Sequence, residues 1–338
     1  MKVAVIFGGT GFIGSYFAKY LVEECGFDKV YLYDLDSLKE KPFSFRKDML
    51  KNLSEVVYIN GDVTNDIEWL PSENIDLIGN FAAVHREPGH RPDEYFYCNL
   101  KGAENVCSWA NKVSCNKIIF TSSIAPYGPS EDPKDEKSLP VPVTPYGSSK
   151  LAAENIHKTW QANRDDKQLL IVRPGVVFGP GEGGNVTRLI KAVKGRYFVY
   201  IGNKNTRKAG VYVKELCRAM IWVLNSNKAK SDGVTLFNMS MNPGPSIKEY
   251  VNSISQTVKI KVLIPNLPSF LIFSLSYIVD SLAKFLRISQ PLSPVRVSKL
   301  IKSNNIIPSY LIENNYEFKY SLDEALEDWK LDCPEEWD

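Results

Sequence analysis

Short runs of β-branched and aromatic residues punctuate the first half of the chain: VAVIF from Val3, VYLYDLD from Val30, VVYIN from Val56, LIGNFAA from Leu77, KIIFTSS from Lys117 and LLIVR from Leu169. Between them lie stretches with apolar residues at helical spacing, over 12–24 (Phe12, Ile13, Phe17, Leu21), 102–111 and 147–161. Strand and helix in alternation predict an α/β domain with a doubly wound parallel sheet and crossover helices, spanning 1–175. After Pro174 the rhythm changes to Gly/Pro-rich loops, short helices and isolated strands, with prolines at 243, 265, 291 and 308. Residues 176–208 and 238–338 therefore read as a smaller mixed C-terminal lobe. The stretch 209–237 returns to the first domain, because VYV from Val211 leads into an apolar helix. No internal repeat, low-complexity tract or long linker interrupts the chain, which predicts one compact body.

The first strand runs into Gly8-Gly9-Thr10-Gly11-Phe12-Ile13-Gly14, a GxxGxxG turn that opens a helix. In that setting Gly8 permits the tight turn, Gly11 lets the backbone approach a pyrophosphate, and Gly14 lets the helix pack on the strand. A glycine turn alone is a weak signal; its place at the start of a βαβ unit points to a dinucleotide. The second strand ends at Asp34, where a carboxylate accepts from adenosine ribose hydroxyls and repels a 2′-phosphate, favouring NAD over NADP. Lys39 and Lys41 lie close enough in sequence to alter that preference. Asp62 and Val63 follow the third strand where an adenine would lie, though a solvated strand-end aspartate fits Asp62 equally.

Tyr146 and Lys150 open a long helix at the i, i+4 spacing that places both on one face. A phenol titrates near 10, so acid–base work at neutral pH needs nearby positive charge, which Lys150 and an oxidised nicotinamide ring supply. Such pairs are common on surface helices. This one gains weight from Thr121, Ser122 and Ser123, hydroxyls at a strand end on the sheet edge where doubly wound folds bind ligands.

Taken in order, GGTGFIG, YDLD, GDV, NFAA, TSSIAPYG, YGSSK and RPGVVFGPG resemble the extended short-chain dehydrogenase/reductase family, a Rossmann fold, in its branch of NAD-dependent sugar-nucleotide epimerases, dehydratases and reductases. The likeness covers roughly 1–225. It implies that Ser123 is the catalytic hydroxyl, Tyr146 the acid/base, and Lys150 the ligand of the nicotinamide ribose. It implies that Phe81, Ala82 and Ala83 line the cofactor, that Asn99 braces the central helix, and that Arg173, Pro174 and Val176 sit beside the nicotinamide; a buried structural pairing is the alternative for Arg173. Substrate contacts are implied for Asn185, Arg188, Arg207 and Lys208, whose alternative is a solvated basic loop. His85, on the rim loop AVHREPGHRP, is a further candidate for sugar contact. A homodimer paired through the Tyr146 helix and its predecessor is expected from the same resemblance.

Departures from the family's patterns rank the reactions. The 4,6-dehydratases carry an Asp-Glu pair after the catalytic hydroxyl, whereas this chain has Ile124 and Ala125, which disfavours elimination. A C4 epimerase acting on a nucleotide-activated sugar in surface-polysaccharide precursor synthesis comes first. Arg173-Pro174-Gly175-Val176 stands where well-known epimerases have Arg-Tyr-Phe-Asn, so a 4-keto-sugar reductase follows, then a 3β-hydroxysteroid-dehydrogenase-like enzyme. A non-catalytic NAD-binding regulator comes last.

Composition adds exclusions. A formal net charge of +2 over 338 residues gives no basic excess for nucleic acid. The six cysteines show no CxxC pair, which predicts neither a metal site nor disulfides. The N-terminus opens on a strand without a signal-peptide pattern, predicting a cytoplasmic enzyme. The apolar run FLIFSLSYIV, followed by Asp280, Lys284 and Arg287, is too short to span a bilayer. A packed helix is expected over 270–288, with an interfacial membrane helix as the alternative.

Overall fold

The computed structural model describes residues 1–35, 44–87, 89–261, 263–286, 297–298 and 301–338. Lys39, Lys41 and Arg287 lie outside them. The strands run in chain order as β1 (Val3–Phe7), β2 (Lys29–Asp34), β3 (Val56–Asn60), β4 (Leu77–Asn80), β5 (Lys117–Thr121), β6 (Ser130–Lys134), β7 (Gln168–Pro174), β8 (Val176–Phe178), β9 (Tyr200–Ile201), β10 (Gly210–Tyr212), β11 (Val234–Met239), β12 (Asn266–Leu267) and β13 (Asn304–Ile306). Seven of them form one sheet in the order β11-β7-β5-β4-β1-β2-β3, and every pairing within it is parallel. The order reverses beside β1, creating the crevice at the strands' carboxyl ends where such sheets bind ligands.

Both faces of the sheet are covered, which is why its strands read as continuous apolar runs. Ala4, Ile6, Leu32, Val172 and Phe237 pack towards α1 (Phe12–Glu23) and, across the chain, α6 (Val213–Asn225). Val5, Phe7, Tyr33, Phe120 and Ile171 face the opposite side with Val106, Trp109 and Trp160 from α3 (Pro92–Lys112) and α4 (Pro145–Ala162). α3 begins ten residues before the predicted 102, with Pro92 at its first position and Asp93 and Glu94 in its first turn. The seventh strand, β11, follows Gly233 and pairs with β7; it was read only as part of a returning stretch.

A separate core joins Val186 and Ile190 of α5 (Asn185–Lys194), Val251 and Ile254 of α8 (Ile247–Thr257), and Trp329 of the helix Leu322–Asp332. That last helix carries Asp328, which accepts from Tyr212 at 2.5 Å and pairs with Lys214 at 2.7 Å. The acidic C-terminal segment thus locks this core onto the start of α6. The helix α9 (Ser269–Leu286) follows β12. Among the described residues no helix is long and apolar enough to cross a membrane.

Candidate active site

The glycine turn shows the close approaches that exclude a side chain. Gly8 has φ +76°, and a Cβ there would meet Ala82 N at 2.6 Å; a Cβ on Gly14 would meet the Gly8 carbonyl at 2.3 Å. The side of Gly11 is open apart from that same carbonyl, at 3.0 Å. Gly11 is also the N-cap of α1, with no side-chain cap and no acidic residue in the first turn. First-turn amides and the positive end of the helix are thereby left for an anion, as a dinucleotide pyrophosphate requires. Asp34 closes the other side. Its Oδ2 accepts from Thr10 N at 3.0 Å and Thr10 Oγ1 at 2.8 Å, pinning the end of β2 to the turn. Asp62 accepts from Thr64 N at 2.8 Å in the turn after β3, and Asn105 holds the Val63 carbonyl at 2.8 Å. Phe81 is half-buried, its ring packing edge-on against Phe17 with 5.2 Å between centroids. Ala82 presents its backbone to Gly8.

At the carboxyl ends of β4 and β5 the catalytic candidates meet. Thr144 caps α4 by accepting from Gly147 N at 3.1 Å, and Pro145 follows it, which orients the helix's first turn. Asn99 ties three elements together. It accepts from Val84 N at 2.9 Å and donates to Ser149 Oγ at 2.9 Å, bracing α4 against the loop after β4. Of the three strand-end hydroxyls, Ser123 is only half-buried, accepts from Ala125 N at 3.1 Å, and lies close enough to Tyr146 to draw its phenol down. Ser122 is buried and donates to Glu154 at 2.5 Å. Thr121 is buried beneath the site.

Burial pushes the Tyr146 phenol up to about 12; the nearby Ser123 hydroxyl pulls it down, and Glu87 and Tyr95 add to the rise. In the protein alone Lys150 is not among the groups that move the phenol, and desolvation sets it. Lys150 is itself 2% exposed, with Nζ 4.3 Å from the centroid of Phe120. Burial draws it down to about 7, against the attraction of Glu154. Among the described residues its ammonium has no hydrogen-bond partner. A buried cation facing a ring lacks acceptors, and the hydroxyls of a nicotinamide ribose fit that deficit. NAD, when bound, supplies the hydride acceptor and, oxidised, the positive charge beside the phenol.

A stability consequence follows from Lys150. Its folded pKa lies below its unfolded value of 10.5, so the unfolded chain binds the extra proton and wild-type stability rises between about pH 7 and 10.5. Lys150→Met is expected to raise the cofactor-free protein's stability by about 2–4 kcal/mol at or below neutral pH, the gain fading towards pH 10.5, with turnover lost. Thermal melts across that range measure it.

The structure also assigns Arg173. Its guanidinium grips buried Glu154 with two bonds, of 2.8 and 2.7 Å, and stacks 4.6 Å from the Tyr127 ring. That is the buried structural pairing named as the alternative for Arg173. Glu154 was missed by sequence reading, although Tyr146, Lys150 and Glu154 recur at four-residue spacing on one helical face. Beyond them His157 is fully buried, donating from Nδ1 to Ala153 O at 2.8 Å and accepting from Asn80 at 3.1 Å. Burial holds it neutral, down to about 4. Tyr95 was also missed; its ring lies 6.2 Å from that of Tyr146. Pro174 continues β7, and Gly175 is required because a Cβ there would meet the Ala209 carbonyl at 2.6 Å. The Arg-Pro-Gly departure, with Val176 beginning β8, thus has a packing cause.

The substrate candidates are dispersed. His85 lies on the rim, its pKa lowered by desolvation and by the charges of Arg86 and Lys150. Asn185 and Arg188 are exposed at the start of α5 and bond to each other at 2.8 Å. Arg207 donates to the Gly244 carbonyl and Lys208 to the Lys302 carbonyl, so both brace their loop. Arg207 has further donors in its fork.

A parallel sheet with a glycine turn at its first βα junction, and a Ser–Tyr–Lys cluster at its strand ends, defines a dinucleotide-dependent oxidoreductase. The chain belongs to the NAD dependent epimerase/dehydratase family, whose model matches residues 4–238. It is an enzyme of that family, and NAD is its cofactor. It is 28% identical over 253 residues, 75% of this chain and 76% of the relative, to N-acetyl-alpha-D-glucosaminyl-diphospho-ditrans,octacis-undecaprenol 4-epimerase of Escherichia coli O157:H7. It is 26% identical over 268 residues, 76% of this chain and 74% of the relative, to dTDP-D-glucose 4,6-dehydratase of Homo sapiens. Its fold matches UDP-glucuronic acid 4-epimerase from Bacillus cereus in complex with NAD, with TM-score 0.74, 18% identity, and 99% and 100% of the two chains covered.

Proposed function

We propose that the protein is a C4 epimerase acting on a sugar carried by a diphosphate, in the first instance a nucleotide-activated sugar of surface-polysaccharide synthesis, and that it works in the cytoplasm as a homodimer. The observation that carries this reading is the placing of Ser123 beside the Tyr146 phenol on the helix that bears Lys150, with Ile124 and Ala125 next in the chain where an elimination needs a second acid–base pair. Ser123 holds the C4 oxygen. Tyr146 takes the hydroxyl proton as the alcohol becomes a ketone and returns it after the sugar has turned. Lys150 holds the ribose, whose hydroxyls stabilise its ammonium beside the phenol. Gly8, Gly11 and Gly14, with Phe12 and Ile13 at the start of α1, Asp34 and Asp62, hold the rest of the cofactor. Arg188, Asn185, Arg207 and Lys208 lie on the loops assigned to the diphosphate side, where cations suit phosphate oxygens.

The test is a screen of UDP-, GDP- and dTDP-sugars without added cofactor. Interconversion of C4 epimers is the expected result. A second reading, a 4-keto-sugar reductase, draws on the Arg173-Pro174-Gly175-Val176 segment and predicts stoichiometric consumption of NADH instead.

A further inference from the structure

The helix α9 is inside out. Ser276 is fully buried, whereas Phe270 is 66%, Leu271 51% and Tyr277 59% exposed, with Leu275 exposed beside them. At 100° per residue these four side chains fall on one side of the helix and Ser276 on the other. An apolar stripe turned outward over a polar inward residue marks an interaction surface, because a helix packing only on its own protein would be rotated the other way.

Charge identifies the partner. From 259 to 302 the sequence carries seven Lys or Arg and one acidic residue, Asp280, in a chain whose whole formal charge is +2, so the remainder is net acidic. Immediately before α9 a cleft of about 470 Å³ is lined by Asn252, Gln256, Lys259, Ile260, Lys261 and Ile264. Lys259 and Lys261 are exposed, and among the described residues neither ammonium is paired. Cations and amides beside isoleucines suit a phosphodiester above acyl chains. We infer that α9 and this cleft seat the enzyme on an anionic bilayer surface, with Phe270, Leu271, Leu275 and Tyr277 at the acyl boundary and Lys259 and Lys261 on lipid phosphates. β12, which precedes α9, pairs with β9, which precedes the loop carrying Arg207 and Lys208.

Vesicle cosedimentation of the full chain tests this without any turnover, so its outcome is separate from that of the epimerase reading. Binding is expected to phosphatidylcholine vesicles containing phosphatidylglycerol, not to phosphatidylcholine alone, and to fall with salt. Lys259→Gln with Lys261→Gln should weaken it roughly five-fold per lysine. Leu271→Ser with Leu275→Ser should abolish it while thermal melting is unchanged, since both residues are exposed. Absence of wild-type binding to both vesicle types would overturn the inference. So would a leucine variant that loses a subunit in light scattering yet still binds vesicles, which assigns the stripe to a second copy of the chain.

Discussion

Tyr146→Phe is expected to lower kcat by about 10²–10⁴-fold while NAD remains bound. The substitution removes one oxygen from a half-buried ring and leaves the contacts of Lys150 and Asn99 in place. Lys150 still meets the ribose, so cofactor affinity should hold, and KM should change little because the loss falls on proton transfer. The phenol's high pKa sharpens this expectation. Burial keeps it protonated in the protein alone, so the base form depends on positive charge arriving beside it. Wild-type rate is then expected to rise with pH through the phenol's pKa in the loaded enzyme, and that rise should vanish in the Phe variant. A variant retaining both rate and pH profile would move the proton to another group, with His85 and Glu87 the nearest to examine.

Glu154→Ala is expected to cost about 3–5 kcal/mol of stability. Glu154 is fully buried and holds two bonds from Arg173 and one from Ser122. Its removal strands a guanidinium that is 3% exposed and so largely closed to bulk solvent. Urea unfolding measures the loss. The paired replacement Glu154→Leu with Arg173→Met removes both charges and should recover most of it. If the double variant were as unstable as the single, Tyr127 stacking or Ser122 would be the more important contact.

The central sheet was legible because helices cover both its faces, so every inner strand is an apolar run with no competing pattern. The glycine turn and the Tyr146/Lys150 spacing were legible because each needs particular residues at fixed offsets. The first half of α3 was obscured by its polar composition, although Pro92, Asp93 and Glu94 form an N-terminal signal. β11 was hidden among short helices and turns. Ion pairing across elements leaves no local mark, so Glu154 was not legible as the partner of Arg173. The apolar run of α9 was visible, but not its orientation, because periodicity reveals a stripe and not what the stripe faces.

The direct test of the proposed chemistry is turnover in D₂O with the accepted sugar and no added nicotinamide, followed by NMR of the product. Hydride removed and returned at C4 within one closed site predicts a C4 epimer carrying no deuterium on carbon. Deuterium at C5 with loss of water, or no product until NADH is added in stoichiometric amount, would contradict the account.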